Sequence, residues 1–375
     1  MQNKTLIAAV LGGGINSAVG SAHYSAILLS NRFNIVAGAF SRNETTNTES
    51  AKVFKISSNR VYKDLTDLIK AEKGKIDCII ILTPTDQHVS QVLECLKSDI
   101  PVICEKALAG SVKETLEIKE QLEKSNGFLS VIYNYLGYPI LRELKQMISN
   151  NNLGTIQQIQ IEMPQEGFLK FNNGKPLTPQ EWRLHDGQVS VLSLDLGVHL
   201  HMIIQYLTGE TPLKVVSSSQ SYGNFPGVID NINCIIHYTN NIICNMWYSK
   251  VALGNRNGLC VRIFGSTGSA EWYQENSEII KMANHSGHKW SIDRGSDGVT
   301  VCNQPRYTRF KVGHPAGFIE ALANYYVDIA NDLSKHLTNV SNDSKESFGV
   351  NESLEGLKLF ESISKSAISE SWQTV

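Results

Sequence analysis

The fold of this chain is decided by the stretch LIAAVLGGGINSAVGSAH, residues 6–23. Its apolar run at 6–11 is continuous, which is typical of a parallel strand covered on both faces. The run ends in a glycine cluster, and alanines at helical spacing follow. Glycines at such a point let main-chain amides and a helix N-terminus approach a phosphate. The stretch therefore predicts a strand, a turn and a helix that hold a dinucleotide, with Gly12, Gly14 and Gly20 at the cofactor.

The spacing of these glycines is irregular. The usual G-x-G-x-x-G fingerprint would place its third glycine at position 17, where this chain has Ser17. Glycine clusters also form tight strand-to-helix turns that bind no ligand. For this stretch alone, both interpretations stay open.

Four more short apolar runs follow, separated by segments with helical periodicity. They are rich in β-branched residues and occupy 34–40, 78–82, 101–104 and 128–132. Strands that alternate with helices indicate βαβ units and a doubly wound parallel sheet. We therefore predict an α/β protein whose N-terminal dinucleotide-binding Rossmann domain spans residues 1–136.

After Pro139 the pattern changes to alternation of polar and apolar residues, which is typical of antiparallel strands with one solvated face. The alternating stretches lie at 155–163, 213–222, 232–238, 242–248 and 259–264. Helices are predicted at 190–207, 315–333 and 353–366. We therefore predict a second domain, residues 137–375, that contains an antiparallel sheet.

Composition narrows the class of protein. With 42% apolar residues, 19% charged residues and a net charge of -2, the chain has the composition of a soluble globular protein rather than of a nucleic-acid binder. No apolar run approaches the roughly 18 residues of a membrane span. The seven cysteines form no CxxC pair, so neither a disulfide framework nor a zinc site is indicated. We expect a cytoplasmic protein with no nucleic-acid partner, no membrane partner and no metal.

The residue that contacts the adenosine ribose of the cofactor is expected at the end of the second strand. The sequence there is Ser41-Arg42, without an acid. An acid would bind the ribose hydroxyls of NAD, whereas serine beside arginine accommodates the extra phosphate of NADP. Glu44 follows two residues later and could bind the ribose hydroxyls instead, which would favour NAD. We therefore predict NAD(P), with a slight preference for NADP.

Three further segments occur in a fixed order along the chain. They are Thr83-Pro84 with His88 after it, Glu105-Lys106 at the end of a strand, and Asp195-Leu-Gly-Val-His199 in the second domain. This ordered set resembles the Gfo/Idh/MocA oxidoreductase family, and the resemblance covers almost the whole chain. It also includes Gly20-x-x-His23, Asn134-Tyr135 and Glu181-Trp182-Arg183.

The resemblance implies a Rossmann domain followed by an α/β domain whose large, mostly antiparallel sheet carries the oligomer interface. It implies hydride transfer between nicotinamide and a sugar, a polyol or a sugar derivative. It places Thr83, Pro84, His88 and Glu105 on the cofactor side, although packing at a helix start is an equal alternative for His88. We therefore expect a carbohydrate-like substrate and a homo-oligomer, a dimer or a tetramer, assembled through the C-terminal sheet.

Oxidation of an alcohol requires that the hydroxyl proton leaves as the carbonyl forms, and histidine suits that step. Asp195 and His199 are four residues apart on a predicted helix, so both project from one face. The resemblance assigns His199 the acid/base role, Asp195 a hydrogen bond that positions the hydroxyl, and Lys106 the polarisation of the reacting oxygen. The proline of the family's Glu-Lys-Pro motif is replaced by Ala107 here. The replacement bears on the geometry of the loop and not on the assignment of Lys106.

Asn134, Trp182 and Arg183 are the candidates for substrate binding. Trp182 would stack on a sugar face and Arg183 would hold a phosphate or carboxylate, although a core tryptophan and a surface arginine explain the same residues equally well. His285 and His288 lie in an Asn/Ser/Gly-rich stretch without a third ligand, which favours a surface loop over a metal site.

Two other functions are compatible with the same scaffold. One is a non-catalytic dinucleotide or sugar sensor, and retention of Lys106, Asp195 and His199 argues against it. The other is a redox glycosidase, which uses a tightly held NAD to oxidise a sugar transiently. Specificity is expected in loops around 164–190 and 222–230, while segment 284–305 covers either the site or only the sheet.

Overall fold

The computed structural model describes residues 5–341 and 346–375. The chain divides into two compact units: Met1–Gly137 with Phe318–Leu354, and Tyr138–Gly317 with Glu355–Val375. The first break adjoins the predicted boundary at 136/137. Nothing in the sequence indicated that the chain returns to the first unit at residue 318. The functional division into a dinucleotide-binding domain at 1–136 and a substrate-binding, oligomerising domain at 137–375 stays a prediction.

The first unit is built on five parallel strands. They are β1 (Leu6–Gly12), β2 (Phe33–Ala39), β3 (Cys78–Leu82), β4 (Val102–Glu105) and β5 (Leu129–Ile132). Their order in the sheet is β2-β1-β3-β4-β5, and every neighbouring pair is parallel. The order reverses between β1 and β3, and ligands of such sheets bind outside the carboxyl ends of the strands at this point. The predicted doubly wound parallel sheet is confirmed.

Helices connect these strands. They are α1 (Gly20–Ser30), α2 (Glu44–Val53), α3 (Leu65–Glu72), α4 (Thr85–Lys97) and α5 (Val112–Ser125). The side chains of Asn43, Asp64 and Ser111 each accept a hydrogen bond from a first-turn amide and so cap α2, α3 and α5. Neither α1 nor α4 has such a cap from its N-cap residue. These two helices follow β1 and β3, the strands on either side of the reversal.

The second unit opens with α6 (Pro139–Ser149) and contains a nine-stranded sheet. Its strands and a small hairpin are β6 (Ile156–Pro164), β7 (Phe171–Asn172), β8 (Lys175–Pro176), β9 (Pro212–Gln220), β10 (Asn231–Tyr238), β11 (Ile243–Ser249), β12 (Cys260–Gly265), β13 (Gly268–Tyr273), β14 (Ile280–Asn284), β15 (Lys289–Ile292) and β16 (Gln373–Thr374). The sheet order is β15-β14-β13-β12-β6-β11-β10-β9-β16. Of its neighbouring pairs, β6 and β11 are parallel and the rest antiparallel. The large, mostly antiparallel sheet is confirmed.

The predicted alternation in the second unit follows from burial of one sheet face. In β6, Ile159, Ile161 and Met163 are buried, whereas Gln158 is exposed and Gln160 is partly exposed. The strands β13 to β16 and the hairpin of β7 and β8 were not predicted. β15 lies within segment 284–305, whose glycine and asparagine content hid the short strand from sequence patterning.

Three further helices complete the chain. They are α7 (Val198–Thr208), α8 (Phe318–Leu337) and α9 (Val350–Ser369), and they confirm the three helices predicted from periodicity. In the first unit, α8 packs along α1 and buries Tyr326 completely. Among the residues that the structure describes, no helix has the length and apolarity needed to cross a membrane.

Candidate active site

The glycine turn after β1 is closely packed. Gly12 has a positive φ of 78°, and a Cβ atom there would lie 2.8 Å from the Thr83 methyl carbon. A Cβ atom on Gly20 would lie 2.0 Å from the carbonyl oxygen of Gly13. Glycine at both positions therefore lets α1 and the end of β3 approach the turn. The backbone N–H of Gly14 donates to the Phe40 carbonyl at 3.2 Å, which ties the turn to the end of β2.

Ser17 occupies the position of the missing third glycine. Its hydroxyl oxygen lies 3.3 Å from the amides of both Val19 and Gly20, and its own N–H donates to the Gly14 carbonyl at 2.8 Å. The first turn of α1 contains no acidic residue. The Ser17 hydroxyl therefore makes long contacts with the positive, N-terminal end of α1, and no carboxylate of the first turn competes there. An anion binds more favourably at such a helix end than at one capped by a carboxylate.

Ser41 and Arg42 lie between β2 and α2, as the sequence predicts. The Ser41 hydroxyl accepts the N–H of Asn43 at 3.1 Å, and Arg42 is exposed. Glu44 belongs to the first turn of α2. The Arg42 guanidinium is thus placed at the carboxyl end of β2, where the second strand of a dinucleotide-binding sheet meets the ribose.

His88 is a completely buried bridge at the carboxyl ends of β3 and β4. Its Nε2 lies 2.7 Å from the Thr83 carbonyl oxygen and its Nδ1 lies 2.7 Å from that of Ala107. Burial lowers the pKa of His88, and the two carbonyls partly oppose this effect. Since both ring nitrogens face main-chain oxygens, the geometry favours the packing role over direct contact with a cofactor. The Thr83 hydroxyl donates to Gln91, and Pro84 directly precedes α4.

Glu105, the last residue of β4, belongs to a buried chain of polar groups. Its Oε1 lies 3.1 Å from His23 Nε2, and His23 Nδ1 lies 2.8 Å from the Tyr326 hydroxyl. An ionised carboxylate only accepts, so Nε2 carries the proton; in the neutral imidazole Nδ1 then accepts from Tyr326. Burial raises the pKa of Tyr326, with the Glu105 charge adding to the effect, so the phenol stays a donor. The sequence offered no signal for Tyr326, which lies 303 positions from His23.

Lys106 and Ala107 follow β4 directly. The Lys106 N–H donates to its neighbour's carboxylate, Glu105 Oε2, at 3.1 Å, and the Lys106 side chain is partly buried. The peptide bond between Lys106 and Ala107 is cis. The loop beside the lysine is therefore held by Glu105 on one side and by His88 at the Ala107 carbonyl on the other.

Asn134 follows β5 in a short 3₁₀ helix, Asn134–Gly137. It is 7% exposed, and its Nδ2 is buried without a hydrogen-bond partner among the residues that the structure describes. A buried amide donor that lacks a partner is costly. This observation is consistent with a contact to a small polar ligand.

In the second unit, Asp195 does not lie in a regular α-helix. The helix predicted at 190–207 contains a π-helical turn at Ser193–Gly197, which carries Asp195, and His199 stands in the first turn of α7. The prediction that Asp195 and His199 project from one face assumed regular α-helical spacing. The π-helical turn between them changes that spacing. Such turns are frequent at functional sites. Asp186 fixes the start of this helix, because its carboxylate accepts the N–H groups of Val191 and Ile229, each at 2.8 Å.

Arg183 is paired with Asp195 and stacked on Trp182. Its Nη1 lies 2.7 Å from Asp195 Oδ2 and its Nη2 lies 3.4 Å from Oδ1. The guanidinium carbon is 4.7 Å from the centroid of the Trp182 ring, whose Nε1 donates to Gln180 at 3.0 Å. Neither alternative from the sequence describes this arrangement fully: the carboxylate that Arg183 holds belongs to the protein, and the tryptophan supports the arginine.

Lys250 is a site residue that the sequence analysis missed. Its Nζ lies 2.8 Å from Asp195 Oδ2, and the residue is only 6% exposed. It directly follows β11 as an isolated lysine, and such a lysine is usually solvated. Main-chain hydrogen bonds to Asp230 and Phe168 fix its position in the fold.

His199 and His201 are both buried, at 5% and 0% exposure. The ring of His201 packs between Tyr238 and Phe360, and its Nε2 lies 3.3 Å from Glu355. This environment gives His201 a packing role within the second unit.

The segment 284–305 packs within the second unit. The Glu143 carboxylate of α6 accepts the backbone N–H groups of Thr300, Val301 and Cys302. His285 and His288 lie in the turn between β14 and β15 and are exposed. Within residues 5–341 and 346–375, no group of three or more potential ligand side chains could hold a metal ion.

Two family models match the chain. The model described as oxidoreductase family, NAD-binding Rossmann fold, matches residues 7–133. The model described as GFO/IDH/MocA C-terminal domain matches residues 141–271, so that together they cover well over half of the chain. The chain belongs to the Gfo/Idh/MocA oxidoreductase family. The resemblance inferred from Lys106, Asp195 and His199 is thereby confirmed at the level of the family.

Known proteins similar to this Gfo/Idh/MocA chain include two from Bacillus subtilis. The uncharacterized oxidoreductase YfiI is 28% identical over 339 residues, 88% of this chain and 85% of that protein. Glucose-6-phosphate 3-dehydrogenase is 24% identical over 279 residues, 72% of this chain and 76% of that enzyme. An inositol dehydrogenase homolog from Azotobacter vinelandii, solved with NADH and myo-inositol, matches with a TM-score of 0.87 at 24% identity and coverage of 99% and 98%. This structural likeness confirms the α/β fold.

Proposed function

We propose that this Gfo/Idh/MocA chain is an NAD(P)-dependent oxidoreductase that transfers a hydride between nicotinamide and a CH–OH group of a sugar, a polyol or a sugar derivative. The observation that carries the proposal is the buried Asp195 carboxylate, paired with cations and four residues before a buried histidine, in a chain of an NAD-binding family. Relatives named for glucose 6-phosphate and myo-inositol support a carbohydrate-like substrate.

The first unit fits a dinucleotide cofactor. Gly12 and Gly20 permit the close approach of the turn and α1, Gly14 joins the turn to β2, and the first turn of α1 offers amides without an acidic cap. Thr83, Pro84 and Glu105 lie at the carboxyl ends of β3 and β4, on the cofactor side of the sheet. Bound NAD(P) would accept or supply the hydride. The exposed Arg42 supports a slight preference for NADP.

Three side chains act on the substrate in this proposal. His199 takes up the hydroxyl proton in oxidation and returns it in reduction. Asp195 accepts a hydrogen bond that orients the hydroxyl, and Lys106 donates to the reacting oxygen as negative charge develops on it. The unpartnered amide of Asn134 and the ring of Trp182 are assigned to substrate binding. Arg183 is assigned to Asp195 rather than to a substrate phosphate, because its guanidinium is already paired with that carboxylate.

We also propose that the chain forms a homo-oligomer and that it works in the cytoplasm. The open face of the nine-stranded sheet carries Trp247 and the 41% exposed Ile235 among polar neighbours. Such a mixed face suits contact with a second copy of the chain, in a dimer or a tetramer. All seven cysteines are free and buried, which supports a reducing, cytoplasmic setting.

The test is a screen of sugars, inositols, sugar phosphates and nucleotide-linked sugars against both oxidised and reduced NAD and NADP. The expected result is substrate-dependent change in nicotinamide absorbance, abolished in His199→Ala. Cofactor binding without turnover of any substrate would contradict the proposal and favour a sensor. Release of a sugar substituent with retained cofactor and no net NADH would instead favour a redox glycosidase.

A further inference from the structure

A buried lysine shares the carboxylate of Asp195 with Arg183. Lys250 Nζ lies 2.8 Å from Asp195 Oδ2, which is also the oxygen that Arg183 Nη1 approaches at 2.7 Å. The Asp195 side chain is 8% exposed and so is that of Lys250. Gln165 Oε1 accepts a further bond from the ammonium at 3.3 Å. Two cations therefore converge on a single oxygen of a buried acid.

The main chain around Lys250 is fixed on both sides. Its N–H donates to the Asp230 carbonyl at 2.8 Å, and its carbonyl accepts the N–H of Phe168 at 2.9 Å. The Phe168 ring lies 5.7 Å from the ammonium. Burying the ammonium of a lysine is costly because the charge leaves water, and a close carboxylate offsets that cost. The fold thus places this ammonium against Asp195 by local main-chain anchoring.

Charge neutralisation alone does not require Lys250. Arg183 would already compensate the Asp195 charge, with contacts to both carboxylate oxygens. The second cation adds two constraints: it favours the ionised form of Asp195, and it holds Oδ2 from a second direction.

Other titratable groups around this cluster are accounted for. The carboxylate of Asp230 accepts the N–H groups of Tyr222 and Gly223, and that of Asp186 accepts those of Val191 and Ile229. His199 stands four residues further along the helix. Lys250 and Arg183 each place a cation against Asp195 within the second unit.

The geometry points to Lys250 as a positioning residue that keeps Asp195 ionised and oriented, so that Asp195 acts on a substrate hydroxyl only as a hydrogen-bond acceptor. The catalytic part of this inference, the action of Asp195 on a substrate hydroxyl, rests on the proposed function. The ionised state of the Asp195 carboxylate does not rest on it and can be measured without a substrate.

The experiment compares Lys250→Met, Lys250→Arg and Lys170→Met with the wild type. Lys170 is the matched control, since its ammonium pairs with Glu166 at the surface of the same unit. The titration of Asp195 is followed by carbon NMR of protein labelled at aspartate carboxyls, with the resonance assigned by its absence in Asp195→Asn. Lys250→Met should raise the titration midpoint by at least about one pH unit, while Lys250→Arg and Lys170→Met should leave it near the wild-type value.

With a substrate from the screen, Lys250→Met should lower kcat roughly tenfold or more, change KM little and move the acidic limb of the kcat profile upward, and Lys250→Arg should restore the limb. An unchanged midpoint in a folded Lys250→Met protein would overturn the inference. If that variant does not fold, Lys250→Gln removes the charge while keeping a polar side chain, and the same shift is expected. A shifted midpoint in a protein that turns over no substrate would leave the inference standing and refute the proposed function.

Discussion

The two units hold buried ionisable side chains of their candidate sites in different ways. At the carboxyl edge of the parallel sheet, His88 lies between the carbonyls of Thr83 and Ala107, so main-chain atoms do the holding. In the second unit, two cationic side chains hold the carboxylate of Asp195. Main-chain partners survive most substitutions nearby, whereas a charged clamp depends on specific side chains. Substitutions that alter the loops beside His88 should therefore act through backbone conformation, and those of Arg183 or Lys250 through charge.

The largest effects are expected for one catalytic candidate from each unit. Lys106→Ala and His199→Ala should each reduce turnover by at least ~100-fold, because an oxyanion donor or an acid/base group is lost. Steady-state kinetics measures the loss, and NADPH fluorescence checks that cofactor still binds. Near-normal rates in both variants would remove both groups from the proposed mechanism. The difference between the two units would then have no consequence for catalysis.

A smaller effect is expected where the first unit relies on its backbone. Gly20→Ala should weaken cofactor binding by roughly tenfold or more, since its Cβ would meet the Gly13 carbonyl at 2.0 Å and α1 must move away from the turn. The control is Gly110→Ala, where the nearest atom is the Glu114 carboxylate oxygen at 3.4 Å. Titration of both variants with NADH and NADPH tests this. Equal affinities would show that the glycine turn does not set cofactor binding.

The smallest effect concerns the choice between the two cofactors. Arg42→Ala should lower affinity for NADPH by about tenfold, the scale of one charge-assisted hydrogen bond, and change NADH affinity by less than about twofold. Parallel titrations of wild type and variant provide the measurement. Unchanged NADPH binding would overturn the preference for NADP.

Much of the first unit's candidate site could be predicted because its signals are local. A strand, a glycine turn and a helix lie within 6–23, and Lys106 directly follows an apolar strand. The structure adds detail for two residues there. His88 bridges main-chain oxygens, which favours one of its two predicted roles, and His23 joins Glu105 to Tyr326.

The second unit was less accessible to sequence analysis. Alternation revealed five of its strands, but Arg183 was expected either at a substrate anion or at the surface, and Lys250 was not noticed. Alternation shows that a strand has two faces, yet the residue just after a strand follows no such rule. The π-helical turn at Ser193–Gly197 likewise leaves no mark in the periodicity.

The sequence alone determined the parallel sheet and its glycine turn, the large second sheet, the family and the positions of Lys106, Asp195 and His199. Hydrophobic period, turn chemistry and motif order are properties of neighbouring residues, so they can be read along the chain. Only the tertiary structure decided which partners surround these groups. Arg183 and Lys250 meet Asp195 from 12 positions before it and from beyond β11, because strand register and main-chain anchoring bring distant side chains to one oxygen.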